Sequence, residues 1–167
     1  MQSDAIAIAA VAGSAGTGAA VDLWTRRVPN PLTMAIAALG CTLAATDTSG
    51  LTIGQALAGF ALGLALMLPG HVIGATGAGD VKLFAALGTL LGPSRIGMAF
   101  LYTAIAGGAL ALLMAFQRQQ LAEMVERTAA LARTGGSNVN DIEQASGNRF
   151  AYAPAIAVGT LVAALGF

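Results

Sequence analysis

Residues 51–73, LTIGQALAGFALGLALMLPGHVI, form an apolar run that contains no Asp, Glu, Lys or Arg. A helix needs about 20 mostly apolar residues to cross the hydrocarbon layer of a membrane, so this run is long enough to span one. Four more uncharged runs of nearly that length lie at residues 5–21, 31–46, 96–116 and 150–167. A sixth apolar stretch, residues 83–91, is short, and it reaches spanning length only if Asp80 and Lys82 are drawn to the membrane surface. The pattern predicts an all-α polytopic membrane protein, a compact bundle of six transmembrane helices.

The composition of the chain agrees with a membrane protein. Of its 167 residues 56% are hydrophobic and 10% are charged, whereas a soluble domain carries about 25% charged residues. Eight basic residues balance eight acidic ones, which leaves no basic surface for nucleic acid. One membrane-embedded domain over residues 1–167 is expected at this length. Cys41 is the single cysteine and His71 the single histidine, so we expect no disulfide, no metal and no cofactor.

The basic residues predict the orientation of the bundle. Six spans divide the connecting segments into two sets, and one set holds seven of the eight basic residues: Arg26, Arg27, Lys82, Arg118, Arg127, Arg133 and Arg149. Basic loops stay on the cytoplasmic side of the membrane. Both termini are therefore predicted outside, and the connections 1 to 2, 3 to 4 and 5 to 6 inside. The first run lacks a basic segment before it, so we interpret it as a retained helix and not as a signal peptide.

The segment between the fifth and sixth runs is polar. Within residues 117–149, apolar side chains recur at helical spacing: Leu121, Met124, Val125, Ala129 and Ala132. Glu123 and Arg127 add a favourable pair on the polar side. We therefore predict a cytoplasmic loop that contains an amphipathic helix.

Small residues are frequent in the predicted spans, including the Gly59-x-x-x-Gly63 spacing in the third. Small residues let helix backbones approach closely in lipid. The spacing is therefore compatible with close packing inside a compact bundle, or alternatively with a seam between two copies of the chain.

Two carboxylates, Asp22 and Asp80, lie at positions where a charge does not stabilise a membrane helix bundle. Asp22 directly follows the first apolar run, and Asp80 precedes the short fourth one. The predicted topology brings both to the inner face, at similar depth. An ionisable group at membrane depth costs about 2.5–3.5 kcal/mol on insertion scales, so a functional role is the default hypothesis. The structural alternatives are a helix N-cap for Asp80 and a solvated pair with Arg26 for Asp22.

The sequence around these aspartates resembles the type IV prepilin peptidases, the GxGD aspartic membrane proteases. The resemblance is carried by Asp22-x-x-x-Arg26-Arg27-x-Pro29-Asn30 and Gly77-x-Gly79-Asp80-x-Lys82-Leu83, in matching order and spacing. The segment Tyr152-Ala153-Pro154-Ala155-Ile156-Ala157-x-Gly159 also resembles the last helix of small family members. The resemblance implies that Asp22 and Asp80 are the catalytic pair. It assigns supporting positions to Gly77, Gly79, Lys82, Pro29 and Asn30.

The family resemblance also implies a function. It predicts a single peptidase domain that removes the short basic leader of a prepilin at the cytoplasmic face of the inner membrane. The size and the lone cysteine are similar to the tight-adherence, or Flp-pilus, branch, which lacks a methyltransferase domain. The implied partners are a prepilin with an apolar N-terminal helix, membrane lipid and pilus-assembly proteins, without nucleic acid and without a cofactor.

Two carboxyl groups can hydrolyse a peptide bond if one draws a proton from water while the other donates one. Asp80 begins a predicted helix, which favours its ionised form and the role of base, whereas Asp22 ends one, which favours its protonated form. The leading alternative is a small transporter or channel in which Asp22 and Asp80 bind ions or relay protons. A structural scaffold is a third possibility, and it would leave both aspartates replaceable.

Overall fold

The computed structural model describes residues 2–73, 76–117 and 152–166. These residues form helices and the short segments that connect them. Its five helices are α1 (Gln2–Thr25), α2 (Asn30–Ala45), α3 (Ile53–Val72), α4 (Ala78–Gln117) and α5 (Ala153–Leu165). The all-α class is thereby confirmed for the described residues. The amphipathic helix predicted within residues 117–149 lies outside them.

Three of the helices are long and apolar enough to cross a membrane: Asp4–Thr25, Ile53–Val72 and Ala78–Leu113. The helices Asn30–Ala45 and Ala153–Leu165 are apolar but shorter. These lengths fit a membrane protein. The count of six spans and the placement of both termini outside remain predictions.

Helix α4 reverses direction at Gly92. This glycine has φ 69° and ψ 175°, a backbone conformation that a residue with a side chain rarely adopts. Pro93 follows, and proline fits the first turn of a new helix because it lacks an N–H. The Phe84 and Phe100 rings meet edge to face with centroids 6.2 Å apart, although a continuous helix would separate them by about 24 Å. Residues 78–91 and 93–117 are therefore two arms that fold back on each other.

The first arm of α4 forms the centre of the bundle. Every residue from 83 to 92 is buried. Leu83 lies against Gly18 of α1, Thr89 against Gly40 of α2, and Gly88 against Gly59 of α3. A helix that is apolar all round belongs in the interior of a bundle. The apolar stretch 83–91 can be short because this arm is surrounded by protein and not by lipid.

The glycines of the Gly59-x-x-x-Gly63 motif allow α3 to cross the first arm of α4 at backbone contact. A Cβ on Gly59 would collide with the Gly88 carbonyl oxygen, and a Cβ on Gly88 with that of Gly59. A Cβ on Gly63 would lie 3.2 Å from Ala85 Cα. Both motif glycines are buried, so this motif packs the chain against itself and presents no exposed seam to a second copy.

Candidate active site

The turn between α1 and α2 places Asp22 in the last helical turn of α1. The Arg26 N–H donates to the Asp22 carbonyl at 2.7 Å, and Arg26 then adopts φ 52°, which ends the helix. The Thr25 hydroxyl is hydrogen bonded to the Val21 carbonyl at 2.8 Å. Pro29 is extended, with φ −67° and ψ 142°, and directly precedes the first residue of α2. The side chain of Asp22 is buried in the bundle, and Asp22 is 6% exposed.

Asp80 lies in the first turn of α4, and its carboxylate caps that helix. The Gly77 N–H donates to Asp80 Oδ2 at 3.1 Å, and the Val81 N–H donates to the Gly77 carbonyl at 3.2 Å. Asp80 is therefore not the N-cap itself: it is the third residue of the helix, and its carboxylate bonds back to the N–H of Gly77, the residue before the helix, with only one of its two oxygens. Asp80 is 7% exposed. A cap needs no such burial, because helix ends normally meet water.

The two glycines of the GxGD motif make room at the site: Gly79 lets the α1–α2 turn lie against the first turn of α4, and Gly77 leaves space for the Asp80 carboxylate. A Cβ on Gly77 would lie 3.0 Å from Asp80 Oδ2, and the capping bond would be crowded. A Cβ on Gly79 would lie 3.2 Å from the Val28 Cβ and 3.3 Å from the Val28 nitrogen. A side chain at Gly79 would therefore push the two aspartate-bearing segments apart, whereas one at Gly77 would displace the Asp80 carboxylate.

Asp22 and Asp80 meet in one buried place, within electrostatic range of each other. The Ala153 backbone N–H lies near enough to the Asp22 carboxylate to interact with it. Asp22 Oδ2 is buried and has no hydrogen-bond partner in the described part of the chain, and no ion pair joins Asp22 to Arg26 there. The solvated Asp22–Arg26 pair considered from the sequence is therefore absent from this site. A buried carboxylate oxygen without a partner destabilises the fold and is typical of a catalytic or binding site.

The N-terminus of α5 forms a third wall of the site, which the sequence analysis did not assign. Besides the Ala153 N–H, the Tyr152 side chain lies within electrostatic range of Asp80. The Tyr152 hydroxyl donates to the Thr103 carbonyl at 3.4 Å, and its ring packs on Gly107 of the second arm of α4. The sequence signals were the resemblance of residues 152–159 to the last helix of small family members and, within that segment, Pro154 near a helix start. These signals fix where the helix begins but not which aspartates it faces.

The contact with α5 bears on which of the two aspartates is the acid and which is the base. Asp22 at the C-terminus of α1 favours the protonated form, but the N-terminus of α5 also faces Asp22 and favours the ionised form. Asp80 retains the N-terminus of its own helix. Helix ends therefore do not separate the two roles, and the two carboxyls are better treated as one coupled pair.

Lys82 and Asn30, two supporting residues of the sequence motifs, are joined directly. Lys82 Nζ donates to Asn30 Oδ1 at 3.0 Å, and both side chains are exposed. Lys82 therefore does more than reach the membrane surface: it ties the start of α2 to the first turn of α4, beside Asp80.

We expect Asn30→Ala and Lys82→Ala each to lower activity by about fivefold, corresponding to about 1 kcal/mol for one exposed, charge-assisted hydrogen bond. The double variant should lose no more than either single one, because all three lack the same bond. The family resemblance implies leader cleavage, and the steady-state rate of that cleavage by the four proteins in lipid measures this. If the activity losses of the two single variants multiply in the double variant, the two residues do not act through one shared hydrogen bond. Arg27 is another exposed basic residue of the α1–α2 turn. Arg27→Ala is therefore the control for the loss of a positive charge.

The part of the chain that the structure describes contains no group of three or more His, Cys, Asp and Glu side chains able to hold a metal ion. His71 contacts the Thr76 carbonyl through Nδ1 at 3.1 Å, where it supports the connection between α3 and α4.

The fold and the site together define a helical bundle of membrane type with two buried aspartates where α1, α4 and α5 end or begin. Over residues 9–112 the chain matches the sequence model of the type IV leader peptidase family, and it belongs to that family. The matched range includes both aspartate motifs and ends before α5. No curated protein and no solved structure matches the chain significantly.

Proposed function

We propose that the chain is an aspartic endopeptidase that removes the short basic leader from prepilins of the Flp or type IV-like kind. Family membership supports a peptidase that acts on a protein substrate. The observation that carries the aspartic mechanism is the meeting of Asp22 and Asp80, both more than nine-tenths buried. Cleavage on the cytoplasmic side of the inner membrane is supported by the basic residues Arg26, Arg27 and Lys82 beside this pair.

In the proposed reaction the two carboxyls share the work of proton transfer. The ionised carboxylate takes a proton from a water molecule, whose oxygen attacks the carbonyl carbon of the scissile bond. The protonated carboxyl donates to the carbonyl oxygen and stabilises the tetrahedral intermediate. When the carbon–nitrogen bond breaks, a proton passes to the leaving amine and the new acid is released. Such a pair needs one neutral and one ionised member, which two close carboxyls favour because like charges oppose simultaneous ionisation.

The proposal is tested by mixing the purified protein, reconstituted in lipid, with a Flp-type prepilin and following leader release by mass. We expect one cut immediately after the basic leader, before the apolar helix. If the protein leaves several prepilins intact, the proposal fails. Ion-flux measurements on the same vesicles would then test the transporter alternative, in which Asp22 and Asp80 bind ions.

A further inference from the structure

The start of α5 is held against the second arm of α4 at two points. The Tyr152 hydroxyl donates to the Thr103 carbonyl at 3.4 Å, and a Cβ on Gly107 would collide with the Tyr152 ring. Further along α5, a Cβ on Gly159 would lie 2.7 Å from Thr103 Cα. Residues 152 and 159 are about two turns apart, so both contacts lie on one face of the helix. A shift of α5 along α4 would break both of them.

Tyr152 is not a capping residue, although it directly precedes α5. Helix N-termini are usually capped by Ser, Thr, Asp or Asn, whose side chains accept a backbone N–H. Tyr152 makes no such bond, and its side chain packs on the second arm of α4 instead. Its contacts are therefore those of an anchor between two helices.

The first turn of α5 leaves one backbone N–H for the aspartate pair. The proline at position 154 has no N–H, and the next two N–H groups both donate to the Tyr152 carbonyl, at 3.0 and 3.2 Å. The Ala153 N–H has no acceptor within α5, and it lies near the Asp22 carboxylate. An N–H at a helix N-terminus stabilises a nearby negative charge. The start of α5 therefore presents a fixed donor to Asp22.

The Asp22 carboxylate also keeps an oxygen free. Asp22 Oδ2 is buried and has no hydrogen-bond partner among the residues that the structure describes. Such an oxygen is available to a water molecule or to the scissile bond, provided that the carboxylate is correctly oriented. A misplacement of about 1 Å lowers a reaction rate by about a hundredfold. The place where α5 begins therefore matters for chemistry at Asp22.

We propose that Tyr152 is a positioning residue of the peptidase: its ring and hydroxyl fix the start of α5 on α4, so that the Ala153 N–H orients Asp22 beside Asp80. The inference rests on the proposed function, because the two aspartates need this alignment only if they react with a substrate. Tyr152 acts through Asp22 in this account and does not bind the prepilin.

Tyr152→Phe and Tyr152→Ala separate the contribution of the hydroxyl from that of the ring. Tyr152→Phe should lower kcat by about threefold, the effect of losing one long hydrogen bond. Tyr152→Ala should lower kcat by about a hundredfold, because the start of α5 is no longer held. In both variants KM for a Flp-type prepilin in lipid should stay within about twofold of the wild-type value. A higher KM with an unchanged kcat would make Tyr152 a substrate contact and overturn the proposal.

Tyr102→Phe is the matched control for the loss of a tyrosine hydroxyl. Tyr102 directly precedes Thr103, is partly buried against the core and makes no side-chain hydrogen bond within the described part of the chain. We expect its kcat and KM to equal those of the wild type. A kcat as low as that of Tyr152→Phe would show that the effect is not specific to Tyr152.

Gly107→Ala tests the same anchor from the side of α4. The added methyl would occupy the place of the Tyr152 ring, so we expect kcat to fall by about tenfold. In the Tyr152→Ala background the ring is absent, and Gly107→Ala should cause no further loss. Gly108→Ala, where a Cβ meets nothing within 4 Å, should leave kcat unchanged in both backgrounds. Losses of Gly107→Ala and Tyr152→Ala that multiply would refute the anchor.

Thermal unfolding in the same lipid separates positioning from stability, and from failure of the peptidase itself. If Tyr152 only stabilised the fold, its variants would melt at lower temperature but keep the wild-type kcat per folded molecule, and the proposal would be wrong. If Tyr152→Ala does not fold, Tyr152→Phe and Gly107→Ala decide by the same criterion. A wild-type protein that cuts no prepilin overturns the proposed function, whereas an active wild type with equally active Tyr152 variants overturns only the positioning role.

Discussion

Asp22→Asn and Asp80→Asn should each lower the rate of leader release by at least about a thousandfold, because neither an acid nor a base remains at the altered position. Asparagine keeps the size of the side chain. In Asp80→Asn the amide oxygen can still accept the bond from the Gly77 N–H, which is 3.1 Å long in the wild type. The helix cap is thus preserved while the proton-transfer capacity is lost. Initial rates on a Flp-type prepilin in lipid vesicles measure the effect.

Asp47→Asn is the matched control for these two variants. Asp47 is exposed in the connection between α2 and α3 and has φ 52°, a conformation that asparagine accepts as readily as aspartate. We expect its activity to equal that of the wild type. Thermal unfolding in detergent should show all three variants folded. If folded Asp22→Asn or Asp80→Asn retains wild-type activity, that residue is not part of the catalytic pair.

Gly59→Ala and Gly88→Ala should each destabilise the bundle by about 2 kcal/mol or more. Overpacking a core usually costs about 1–3 kcal/mol. At this crossing the added methyl would collide with a carbonyl oxygen of the facing helix. A backbone atom cannot turn aside as a flexible side chain can, so α3 and the first arm of α4 would have to separate. The free energy of unfolding in bicelles, compared with that of the wild type, measures the loss.

Gly97→Ala and Gly108→Ala are the matched controls for the crossing. Both glycines are helical residues of the second arm of α4, and a Cβ at either one meets nothing within 4 Å. These variants should be neutral or slightly stabilised, since alanine is the better helix former by up to about 1 kcal/mol. Equal behaviour of all four variants would contradict the backbone contact between Gly59 and Gly88.

Local sequence patterns were sufficient to predict α2 and α3. The uncharged runs 31–46 and 51–73 correspond closely to α2 (Asn30–Ala45) and α3 (Ile53–Val72), because in lipid the length of an apolar run sets the length of a helix. The central position of residues 83–91 was not predictable. Apolar residues facing lipid and apolar residues facing protein have the same composition, and only the assembled bundle distinguishes them.

The site was predictable in part. The family resemblance of the two motifs singled out Asp22, Asp80, Lys82 and Asn30 as candidates, and the predicted topology placed both aspartates at one end of the bundle. The hydrogen bond from Lys82 to Asn30 required the packing of α2 against α4. Ala153 belongs to the segment that resembles the last helix of small family members, but its place at the site was not predicted, because its backbone N–H comes near Asp22 only through the packing of α5 on α1. A backbone donor leaves no mark in the sequence.

If Asp22 and Asp80 act as one catalytic unit, the rate of leader release by the double variant Asp22→Asn/Asp80→Asn, beside those of the two single variants, shows it most directly. Residues that act together lose nearly everything when either is removed. We predict that the double variant is no slower than the slower single variant, with all three at the background of uncatalysed cleavage. A single variant that releases leader at the wild-type rate, or single losses that multiply in the double variant, would contradict the claim.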